Sequence, residues 1–176
     1  DECLVSLPQS LVAEYGEPES SLTLSTIHAA GFALNMYSLG ASIDSIQIGE
    51  TRDRFYHHVH FGAFEKLQKP HLMIMREALG NGGGFGAEMY MDMWHPVSLL
   101  PTKVLAAISC HYLDKTFRKD QGHFFQRTLD YSKAVITTNK HIFNLLSFKL
   151  SNAHYLSSEE LKDVFKHARR VHFDIR

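Results

Sequence analysis

Cysteine is scarce in this sequence: among 176 residues only Cys3 and Cys110 carry a thiol. Two cysteines make no disulfide framework, and they read as buried free thiols of a reducing compartment, which points to the cytoplasm. Long apolar runs are lacking too, since the longest apolar stretches are broken by His, Lys, Asn or Asp. No window reaches the roughly 18 apolar residues that a membrane-spanning helix needs, so no membrane partner is expected. The opening Asp1-Glu2-Cys3-Leu4 has neither an initiator Met nor the basic start and apolar run of a signal peptide. It reads as a processed product or an excised fragment. No internal repeat of fixed period is present, which excludes a solenoid.

What is present is an ordinary globular composition, 44% hydrophobic and 21% charged, far from that of a disordered chain. Residues 1–20 read as an N-terminal arm, and residues 21–176 as a single helical domain. Apolar residues recur every three to four positions over Ser21–Leu39, Thr51–Lys69, Pro70–Leu79, Pro101–Phe117 and Gln121–Leu150, the last with a break near Thr137–Asn139. Ser157-Ser158-Glu159-Glu160 has the form of a capping box, with Leu156 and Leu161 at the positions of a hydrophobic staple. It opens a helix expected to run to Arg170. Ile43, Ile46 and Ile48 form a short strand or an ordered loop. Met89, Met91 and Met93 alternate like a strand, as do Val171, Phe173 and Ile175. The expected fold is all-α: an irregular bundle of six or seven helices with at most one or two short strands.

Gly80-Asn81-Gly82-Gly83-Gly84-Phe85-Gly86 is the most distinctive local feature. No Lys-Ser or Lys-Thr follows it, so it is not a phosphate-binding Walker loop. It reads as a flexible or tightly turned connector between helices. Twelve histidines are many for this length. On a helix His57 and His60 would share a face, and Asp92 and His95 repeat their spacing, so these four define a candidate metal set. Neither Glu-x-x-His nor His-Glu-x-x-His occurs. No cofactor is favoured.

Nucleophile motifs fare worse, because Gly-x-Ser-x-Gly is missing and the neighbours Cys110 and His111 would diverge by ~100° on a helix. Arg118-x4-His123 resembles the motif of HEPN ribonucleases, which are small all-helical domains acting as dimers. The resemblance covers six residues. It implies a metal-independent RNA-cleaving pair, with His123 organising in-line attack and Arg118 steadying the phosphate.

Charge is split along the chain. Residues 1–102 carry 5 Lys/Arg against 12 Asp/Glu, and residues 103–176 carry 13 against 7. Lys162, Lys166, Arg169 and Arg170 lie on the expected last helix, opposite Leu161, Val164, Phe165 and Ala168. Such a split marks a partner-binding face. The leading expectation is a non-enzymatic interaction or assembly subunit. Its basic half would contact a protein partner, another copy of the chain in an oligomer, or RNA. The ribonuclease and the His/Asp metal-binding bundle are the alternatives.

Overall fold

The computed structural model describes residues 22–52, 54–62, 72–92 and 121–173. The 1–20 arm, Cys3, Cys110 and the helix expected over Pro101–Phe117 lie outside the described residues.

Helix α1 (Leu22–Ser38) runs through the centre. Every residue from Ser25 to Met36 is buried, as befits a helix that is apolar on all sides. It contacts both long strands and all four other described helices, the last of them through Tyr37 and Phe165. Its end is a Schellman motif: the Ala41 amide donates to the Met36 carbonyl and the Gly40 amide to the Tyr37 carbonyl, both at 3.0 Å. Gly40 takes φ +102 there, a conformation open to glycine.

Strands β1 (Ile43–Thr51) and β2 (Arg54–Phe61) follow as an antiparallel hairpin. Thr51 pairs with Arg54, and Arg52 takes φ +52, which suits the first central position of a two-residue turn. The helix expected over Thr51–Lys69 is thus corrected to a strand over its first part. Phe55, Tyr56, Val59 and Phe61 favour a pleated strand. Ile46, Ile48, Val59 and Phe61 are buried, and the residues between them are more open. That period of two was hidden by apolar positions that also fit a helical stripe.

Helix α2 (Leu72–Tyr90) carries the second correction. The glycine segment is its middle, not a connector. Five glycines cost a helix roughly 4 kcal/mol relative to alanine. Close packing on two sides offsets that cost. A Cβ at Gly80, Gly83 or Gly84 would overlap Phe32, Asn35 or His28 of α1. A Cβ at Gly82 or Gly86 would overlap Thr128 or Ser132. The closest crossing of α1 and α2 is at Gly31, which abuts Gly83 and Ala87. Met89 therefore lies in a helix and Met91 in the turn after it, not in a strand.

Helix α3 (Gln121–Thr138) contributes Thr128 and Ser132 to that seam. Asn139 interrupts the helical run where a break was expected, and α4 (Lys140–Ala153) continues. Strand β3 (Tyr155–Leu156) adds to the free edge of β1, giving the sheet order β2-β1-β3. Helix α5 (Ser158–Phe165) starts on the capping box read from the sequence. Ser157 Oγ accepts from the Glu160 amide at 3.3 Å, and the Glu160 carboxylate accepts from the Ser157 amide at 3.3 Å. Leu156 and Leu161 beside it are fully buried.

The described residues thus form a mixed α/β fold of five helices and one three-stranded antiparallel sheet, not an all-α bundle of six or seven helices. One core joins Phe32, Leu34 and Met36 of α1 to Ile46 and Val59 of the sheet and to Val135, Phe143 and Leu146 of α3 and α4. Among the described residues no helix is long and apolar enough to cross a membrane.

Candidate partner-binding groove

α5 ends at Phe165, four residues before Arg169. The chain then leaves the helix and returns across the C-terminal end of α1. Three anchors hold this tail. Asn139 Nδ2 donates to the Val135 and Arg169 carbonyls, each at 2.9 Å, while its Oδ1 accepts from the Arg169 amide at 2.7 Å. Ser38 Oγ accepts from the Val171 amide at 2.8 Å. The Tyr131 hydroxyl sits 2.8 Å from the Val171 carbonyl and 2.7 Å from Ser38 Oγ. Burial pushes the Tyr131 phenol up to about 12, and the bond to Ser38 only partly opposes this.

Between tail, α5 and the α1–β1 turn lies a groove of about 310 Å³. Lys162, Lys166 and Arg170 line it on one side, and Gly40, Ser42 and Asp44 on the other. Tyr37 and Phe165 lie between them, stacked at 4.5 Å with an interplanar angle of 8°. The Arg170 guanidinium also lies over the Tyr37 ring, 4.3 Å from its centroid, and its Nε donates to the Tyr37 carbonyl at 3.1 Å. The Tyr37 ring thus makes both an aromatic stack and a cation–π contact. The arrangement offers positive charge at the rim, apolar carbon at the floor, and one carboxylate, Asp44.

Of the four basic residues singled out by the sequence, Lys162, Lys166 and Arg170 meet at this groove. Arg169 belongs to the tail, where Asn139 clamps its backbone, and does not line it. The expected single helical face is corrected accordingly, because Arg169 and Arg170 lie past the helix end. Tyr37 and Asn139 were missed in the sequence, since their partners lie 133 and 30 residues away.

Two members of the candidate metal set, His57 and His60, are not brought together. His57 and His60 are three apart on β2, where a period of two puts them on opposite faces. His57 meets His28 of α1, while His60 stacks near His58 at 6.2 Å on the other face. Asp92 is exposed at a turn with φ +56. His95 lies outside the described residues. Among the described residues no three His, Cys, Asp or Glu side chains are placed to hold one metal ion. For the ribonuclease pair, Arg118 and the side chain of His123 lie outside the described residues.

No protein-family model matches this chain, and no curated protein matches it at a significant level.

Proposed function

We propose that this chain is a non-enzymatic interaction subunit whose groove takes an acidic segment of a partner protein. The observation that carries the reading is the convergence of Lys162, Lys166 and Arg170 on one groove where, among the described residues, Asp44 is the single opposing carboxylate. A volume near 310 Å³ suits a few side chains rather than a large cofactor. Single-stranded RNA is bound through open aromatic faces on which bases stack. Here the Tyr37 ring already carries Phe165 stacked on it and the Arg170 guanidinium over it, so carboxylates above an apolar floor fit better than bases. The acidic half of another copy meets the same requirement, given the 12 Asp/Glu against 5 Lys/Arg in residues 1–102.

The test is a salt series with the purified chain, a labelled Glu- and Leu-rich peptide and a labelled single-stranded RNA. RNA integrity and oligomeric state are read on the same samples. Peptide binding that weakens with salt, and about tenfold further in the Lys162→Glu/Lys166→Glu double variant, supports the reading. Salt-sensitive RNA binding lost in that variant would replace it with an RNA contact. RNA cleavage lost in His123→Ala would replace it with a ribonuclease. No binding and no salt-sensitive oligomer would sink it.

A further inference from the structure

The interior holds a second cluster of titratable groups, separate from the groove and unused by it. His28 of α1 is 6% exposed and Glu88 of α2 only 2%. Nδ1 of His28 and Oε1 of Glu88 lie 3.1 Å apart and share a hydrogen bond. On the other side of His28 stands His57 of β2, with ring centroids 4.5 Å apart and planes tilted by 37°. Phe32 closes in at 6.5 Å from the His57 ring. The backbone of Gly84 lies so close to the His28 ring that not even a methyl group would fit between them. Nε2 of His28, Nε2 of His57 and Oε2 of Glu88 are all buried without a hydrogen-bond partner.

Buried polar atoms are almost always paired, so three orphans at one junction are an unusual concentration. The charge count is unusual as well. Two imidazoles lie in contact, and one carboxylate serves them. Of the other described groups, His58 acts on His57 from the same strand and adds no negative charge, while β1 presents Ile48 opposite. A positive charge on His28 would face the Glu88 carboxylate across their 3.1 Å contact. A second, on His57, would sit beside the first with no counter-charge.

We infer that His28, Glu88 and His57 form an acid-sensitive latch joining α1, α2 and the hairpin strand β2. In the closed state His57 is neutral and packed. Acid puts a second positive charge into the contact, and relief requires β2 to move off α1. The His57 imidazole is held well below its ordinary range, by burial first, then by His28 and His58. The unfolded chain therefore binds a proton on His57 near pH 6.5, where the folded chain does not. Stability from this site is full above that pH and falls as pH drops toward the folded value.

The experiment is urea unfolding of the full chain from neutral to mildly acidic pH, for wild type, His57→Gln and the control His154→Gln at an exposed site. Below pH ~6.5 the wild-type folded-to-unfolded ratio is expected to fall by up to about tenfold per pH unit more than that of His57→Gln. His154→Gln should keep the wild-type slope. Ring-proton NMR of the wild type reads the same site without substitution, and covers the case that His57→Gln does not fold. There the His57 signal should stay that of the neutral ring through the ordinary histidine range. Parallel slopes in wild type and His57→Gln, or a His57 ring that takes up its proton in the ordinary histidine range, would overturn the latch.

Discussion

At the scale of single residues, glycine decides the packing of α2. In an exposed helix Gly→Ala is favourable by about 1 kcal/mol. At Gly84 the added methyl meets the His28 ring, and at Gly83 it meets Asn35, itself fully buried. Overpacking of that kind costs about 1–3 kcal/mol, so the collision outweighs the propensity gain. Gly84→Ala is expected to lower stability by up to about 2 kcal/mol, read as a lower urea midpoint at unchanged slope. A higher midpoint would mean that the seam is looser than drawn. The same residues explain why the segment was misread. Glycine's local preference argues against helix, and the contacts that overrule it come from Phe32, His28 and Thr128, each more than 40 residues away. By contrast Ser157 and Glu160 were legible, because their hydrogen bonds close within a few residues. His57 was placed on the wrong kind of element, and one change of period moved it from a surface pair with His60 to a buried contact with His28.

At the scale of elements, the groove depends on where α5 begins and where the tail is tied. Ser157→Ala removes the acceptor for the Glu160 amide and should cost about 1 kcal/mol in thermal unfolding. Asn139→Ala removes three hydrogen bonds that fix α3 and the backbone of Arg169. The expected loss is about 2–3 kcal/mol. Because Arg170 is the next residue, peptide binding at the groove should weaken as well, although Asn139 does not line it. Full-strength binding by Asn139→Ala would show that Tyr131 and Ser38 hold the tail alone. The basic run could be read from the sequence as charge. Its geometry could not, because the helix that was expected to carry it stops at Phe165. The hairpin was half legible: Ile43, Ile46 and Ile48 marked an apolar patch, while its partner strand fitted two periods at once.

At the scale of the whole molecule, Val171 joins the two ends of the described chain by lying on Ser38 and Tyr131. The Tyr131 phenol, pushed up to about 12, adds an alkaline limit. Above pH ~10 the unfolded chain gives up this proton and the folded chain keeps it. Stability should then fall by up to about 1.4 kcal/mol per pH unit until about 12, and Tyr131→Phe should remove that part of the slope. A slope unchanged by Tyr131→Phe would place the alkaline loss elsewhere.

The glycine helix has a consequence for how this fold can vary. α2 works as a keyway: it presents bare backbone, and its neighbours supply the teeth. Enlarging the keyway side collides, and trimming a tooth such as Phe32 leaves a void against Gly80. Either change alone costs stability, but the two made together keep the volume. The seam can therefore drift only by matched exchanges, one small residue growing as its opposite shrinks. Gly80 with Phe32, Gly82 with Thr128 and Gly86 with Ser132 are the pairs through which such an exchange would pass.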